Sequence, residues 1–207
     1  MGRLDEITTI DEVVAELEDI INEAVKKNSP VGYFAALYQK VTIKVKEEIA
    51  NKFFDDGPRM EKLDIIFAKR YLDAYYDWKE NKEITQAWKY TFEMDKNDHL
   101  IVLQHLLMGM NAHINLDLGI AAAQISNKSN IDDLENDFIK INEILSSLVN
   151  EVQNDLSVIW PILKRILIRT KKVDDFLIDF SMELARDGAW RFAKLLAVNS
   201  KNHAEID

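Results

Sequence analysis

From Leu100 to Asn127 the chain carries a single formal charge, Asp117. The stretch is far too long for a strand, so it reads as a helix, and a helix without a polar face has to be enclosed. Lipid is one possible enclosure. A membrane span, however, would hold His113, Asn115 and Asp117 near mid-bilayer at a cost of several kcal/mol, and nothing in the sequence suggests neighbouring spans to shelter them. The expected enclosure is therefore other helices, with a buried central helix over about 99–124.

The rest of the chain supplies them. Six glycines and three prolines in 207 residues leave few turn signals, which disfavours an all-β fold. "TTIDEVVAELEDIINEAVKK" opens a helix in which Thr9 and Glu12 have capping-box spacing and Val13, Leu17, Ile20, Ile21 and Ala24 make one apolar stripe. "NSPVG" ends it. A second helix runs over about 32–53, and a third over about 58–80 with Pro58 at a first helical position. A shorter one covers about 84–95. After the central helix, "SNKSNIDD" leads into a helix of about 131–157, Pro161 starts a short one, and Asp174 to Val198 makes the last. No linker or internal repeat interrupts the series. The expected fold is all-α, a single domain over 1–207 built as a bundle of about eight helices.

Composition narrows the function classes. The formal charge is −10, with no dense run of Lys or Arg, so neither nucleic acid nor an anionic membrane is an expected partner. With no cysteine, the chain has no disulfide, thiolate metal site or cysteine nucleophile. The N-terminal "MGRLDEITTIDEV" lacks the apolar core of a secretory signal, and the cytoplasm is the expected location.

On a helical wheel the polar residues of the central helix sort into stripes. Gln104, Asn111 and Asn115 fall together. His113 and Asp117, four apart, lie on the opposite side with Gln124, and His105 sits between. A buried polar group left unpaired costs about 1–3 kcal/mol, so these groups must be met by partners, water, metal or ligand. Three chemistries fit. His113-x-x-x-Asp117 is a helical spacing that could ligate a divalent metal, although His105 is offset from it. The same pair could be an acid–base couple, the carboxylate raising the basicity of the imidazole, with His105 as a further catalytic candidate. Binding without chemistry is the third, with Tyr71, Tyr75, Trp78, Trp88 and Trp190 as candidate aromatic walls for a small molecule. A purely structural hydrogen-bond network in a non-enzymatic protein is the alternative to all three.

Candidate groups to face this helix come from the third and last ones. Asp64 lies beside an apolar stripe with Tyr71, while Arg59 and Arg70 share a flank with Asp73 and Asp77 that reads as a solvated ion-pair face. On the last helix Phe180, Leu184, Gly188, Arg191 and Leu195 share a stripe. Arg191 is thus expected to point inward and pair with Asp64 or Asp117, and Arg186 to be exposed. Asn111, Asn115, Asp64, Tyr71 and Arg191 are the expected ligand-contacting residues.

"LQHLLMGMNAHINLDLGIAAA", "GYFAALYQKVT", "RMEKLDIIFAKRYLDAYYDW", "TQAWKYTFE" and "ARDGAWRFAKLLA" together resemble a bacterial family catalogued only as a domain of unknown function. The resemblance covers about 30–200 and implies a single-domain helical protein. It brings no catalytic or ligand residues with it.

Overall fold

The computed structural model describes residues 6–97, 99–126, 130–159 and 182–204. Every regular element among them is helical. Helix α1 (Ile10–Lys27) begins as its sequence requires: Thr9 accepts from the Glu12 amide, Glu12 reaches back to the Thr9 amide, and Asn28 closes the helix in the left-handed conformation at φ 52°. It packs along α2 (Val31–Ala50). The Asp56 side chain caps α3 (Gly57–Lys79), with Pro58 in the first turn. Helix α4 is the short Gln86–Glu93, followed by a 3-10 turn at Met94–Lys96.

The expected central helix exists but is not one uniform helix. It consists of α5 (Val102–Ala112), a π-helical segment (His113–Leu118) and α6 (Gly119–Ile125). Nor is it enclosed on all sides. Gln104, Asn111, Asn115 and Gln124 are exposed, whereas His105, His113 and Asp117 are buried. A 3-10 turn at Ile131–Leu134 then precedes α7 (Glu135–Ile159). Helix α8 (Met182–Ala204) lies against α6 and the π segment. The expected short helix at Pro161, and the start of the last helix from Asp174, fall outside the described residues. Among the described residues no helix is long and apolar enough to cross a membrane.

Two apolar clusters form the interior. One joins α1, α2, α3 and α4 around Leu17, Tyr71 and Trp88; the other joins α3, α6, α7 and α8 around Leu63, Leu134 and Ala193. Phe67 and Ile114 pack against both, so the helix turn bearing His113 stands at their seam. The second cluster is anchored to the loop before α3 by Asp137. Wholly buried on α7, it accepts from the Asp55 and Asp56 amides at 2.6 and 3.0 Å and from Arg59 at 3.1 Å.

Helix α8 turns a different face inward from the one its leucines suggest. Arg186, Ala189, Trp190, Ala193 and Ala197 are buried, while Gly188, Arg191 and Leu195 are exposed. Small residues explain this. A Cβ on Gly119 would stand 2.9 Å from the Ala189 carbonyl oxygen and 2.7 Å from Phe192, so the two helices touch almost backbone to backbone. Only an alanine stripe permits that approach, and it rotates Arg191 to solvent.

Candidate functional site

His113 opens the π segment, and Asp117 follows one turn later on the same buried side. Wider π turns occur chiefly as short insertions within α-helices and cluster at functional sites. Here the segment presents both side chains to α3 and α4. Phe67 and Arg70, three apart on α3, meet them in turn. The Phe67 ring stacks on His113 with centroids 3.6 Å apart and planes 7° from parallel, and Arg70 Nε donates to Asp117 Oδ1 at 2.8 Å. From α4, Trp88 Nε1 donates to Asp117 Oδ2, also at 2.8 Å. His113 Nδ1 lies 3.2 Å from the same oxygen.

These contacts set the charge states. Burial works against the Asp117 carboxylate, but its bonds to His113 and Trp88 and the nearby Arg70 guanidinium hold it below its ordinary value. Burial pushes the His113 imidazole down, with Arg70 acting in the same direction, and together they outweigh the stabilising Asp117. Near neutrality Asp117 is therefore ionised and His113 neutral. A carboxylate beside Nδ1 selects the tautomer with the proton there, which leaves the lone pair on Nε2. That nitrogen is buried and has no hydrogen-bond partner among the described residues.

The His113 ring forms part of the wall of a partly open cavity of about 130 Å³ lined by α2, α3, the central helix, α7 and α8. Its lining is overwhelmingly apolar, including Phe34, Leu106, Met110, Phe138 and Leu148. Four polar side chains interrupt it: Tyr38, Asp64, His113 and Arg186. Asp64 Oδ2, His113 Nε2 and Arg186 Nε are buried and have no hydrogen-bond partner among the described residues, and the buried Tyr38 hydroxyl interacts only weakly with that of Thr42. Burial, with a smaller push from Glu61, raises the Asp64 carboxyl to about 7, so much of it is protonated near neutrality. Burial also raises the Tyr38 hydroxyl, and it stays neutral. Arg186 is lowered to about 9 by burial and remains a cation. Its Nη2 donates to the Phe138 carbonyl, and the guanidinium stands 4.4 Å from the Phe138 ring centroid.

Of the residues expected from the sequence, the structure brings His113 and Asp117 together and places Asp64 on the same cavity. His105 and Tyr71 line a separate, much smaller hollow near Asp95. Burial lowers His105, against the opposing charge of Asp95. Asn111 and Asn115 are exposed and hydrogen-bonded to each other, because the stripe they share with Gln104 is the solvent side of the helix. Four arginine assignments are corrected. Arg59, read as part of a solvated face, bonds the wholly buried Asp137. Arg191 is exposed and pairs with neither Asp64 nor Asp117; Arg70, read as part of a solvated face, supplies the cation for Asp117; and Arg186, read as exposed, is buried. Among the described residues no group of three or more His, Asp or Glu side chains could hold a metal ion.

The model of the family of unknown function DUF5995 matches residues 10–206. The chain belongs to this family. No curated protein and no solved structure matches it. In this DUF5995 chain, sequence reasoning missed Tyr38, Phe67, Arg70 and Arg186 as parts of the site. The spacing of Phe67 and Arg70, one turn apart like His113 and Asp117, is the signal that could have paired the two helices.

Proposed function

We propose that the protein binds a small, mostly apolar molecule in the cavity beside His113, with the imidazole Nε2 as acceptor or base. The observation that carries this is the set of buried polar atoms on the wall of one apolar cavity, of which Asp64 Oδ2, His113 Nε2 and Arg186 Nε have no hydrogen-bond partner among the described residues. A buried polar atom without a partner costs about 1–3 kcal/mol, and a ligand supplying the partner would remove that cost. An apolar body with a few converging polar groups is the usual make-up of a small-molecule site. The volume suits a single ring, since an engineered apolar cavity of about 150 Å³ in another protein binds benzene. Asp117 would hold the imidazole tautomer, Arg70 and Trp88 would hold Asp117, and Asp64 in its acid form would be a donor on the same wall. That separation of a neutral acid from a neutral base resembles the division of labour in acid–base sites.

The test uses p-cresol, an apolar ring with one hydroxyl, and toluene, which lacks it. Binding of p-cresol is expected to shift the His113 ring-nitrogen NMR resonances, and His113→Phe to weaken it about tenfold, the equivalent of one hydrogen bond. If neither compound binds at millimolar concentration, the cavity is not a ligand site. If both bind alike and His113→Phe changes nothing, His113 is not the acceptor.

A second reading is favoured by one specific observation: both Asp117 oxygens are already engaged, by Arg70 and Trp88. On that reading the contacts tie α3 and α4 to the π segment and serve packing alone. It accounts for Asp117 but leaves His113 Nε2 and the other cavity atoms unanswered. The same engagement leaves Asp117 little capacity to ligate a divalent ion.

A further inference from the structure

We propose that the molecule held in the cavity carries a carboxylate, and that Arg186 is its anchor. This rests on the cavity being a ligand site, and it names the chemical class of the ligand.

Arg186 is the one cation on the cavity wall among the described residues. It is 4% exposed. Its only hydrogen bond among the described residues goes to a neutral acceptor, the Phe138 carbonyl, and its Nε has none. No carboxylate of the described residues pairs with it; Asp187 next to it is exposed and acts only through space. A guanidinium removed from water without an anion is strongly unfavourable, and its planar fork of donors matches a carboxylate in two parallel hydrogen bonds. The Phe138 ring beneath it and the Nη2 bond to the Phe138 carbonyl fix the plane of the fork, leaving the Nε edge unused.

The other polar groups of the wall accommodate such a ligand. Near neutrality much of Asp64 carries a proton, so it does not repel an anion as a full carboxylate would, and the Tyr38 hydroxyl is a neutral donor. His113 Nε2, an acceptor on the same wall, suits a hydroxyl or other donor of the ligand. The cavity volume accommodates a body of about one ring, which fits an arylacetate or a similarly sized branched carboxylic acid.

Phenylacetate and its neutral isostere phenylacetamide distinguish this from simple filling of the cavity. Calorimetric titration near pH 6, where Asp64 is mostly protonated and the acid is ionised, should give at least tenfold tighter binding of the acid to the wild-type protein. Arg186→Met, an apolar replacement of similar length, should abolish that preference while p-cresol still binds. If Arg186→Met does not fold, Arg186→Lys keeps the charge without the fork and should reduce the preference several-fold. Equal binding of acid and amide, or a preference that survives both substitutions, overturns the assignment to Arg186. Binding of p-cresol without phenylacetate overturns this inference alone, whereas failure of all three compounds overturns the cavity as a ligand site. Apo stability gives an independent check. If Arg186 lacks an anion in the free protein, Arg186→Met should be at least as stable as wild type; a marked loss would mean that the chain itself supplies the anion.

Discussion

Replacing Asp64 by asparagine should stabilise the protein, and more so as the pH rises. Asp64 is 8% exposed, one carboxyl oxygen has no partner among the described residues, and burial lifts the group from its ordinary 3.8 to about 7. A carboxyl raised in the folded state keeps its proton while the unfolded chain has already lost it. Stability is thus fully present below about pH 4 and is lost progressively as pH rises toward 7, with no further loss above. Each pKa unit corresponds to about 1.4 kcal/mol, so the burden above pH 7 is about 4 kcal/mol. Asparagine has nearly the same shape and no proton to lose. The difference in unfolding free energy between Asp64→Asn and wild type should therefore widen by about 3 kcal/mol between about pH 5 and pH 8. Urea denaturation followed by circular dichroism at both pH values measures it, with a common urea dependence confirming that the same transition is compared. A difference independent of pH would refute the reasoning. So would an asparagine variant less stable at pH 8, because that would mean the ionised carboxylate is paired.

Three further substitutions test the surroundings. Asp117→Asn keeps an acceptor for Trp88 but removes the charge that Arg70 bonds, and should cost about 2–3 kcal/mol in chemical denaturation; an unchanged midpoint would show that the ion pair contributes nothing. Gly119→Ala places a methyl group against the Ala189 carbonyl and should lower stability by about 1–2 kcal/mol despite its better helix propensity, whereas Gly188→Ala meets open space and should gain up to about 1 kcal/mol. Opposite signs in thermal melts check the facing of α8.

Much of the fold was legible because helix boundaries are local. Thr9 with Glu12, and Pro58 after Asp56, act within one turn, and the helices start where those residues indicate. The two polar stripes of the central helix were legible too, and they lie on opposite sides, Asn111 and Asn115 in solvent and His113 and Asp117 inside, except that Gln124, expected with His113 and Asp117, is exposed. Which stripe was buried was not, since a low charge count does not measure exposure. The arginines failed for a different reason. A stripe chosen for large apolar side chains led to Leu195 and Arg191, but helices that approach closely select alanine and glycine, so Ala189 and Ala193 turned inward and carried Arg186 with them. Arg70 looked solvated because its neighbours on α3 are acidic, and only the tertiary position of Asp117 reveals its partner. The cavity belongs to five elements at once and has no local signature.

The π segment has a mechanical consequence. A helix of uniform pitch would fix the angle between Gly109 and Gly119, and each has a demanding neighbour: the Phe34 ring lies where a Cβ on Gly109 would be, and α8 presses on Gly119. The wider turn between them is a phase slip that lets each half of the helix settle against its own neighbour, so along this helix the two hydrophobic clusters meet at the turn that bears His113 and Asp117.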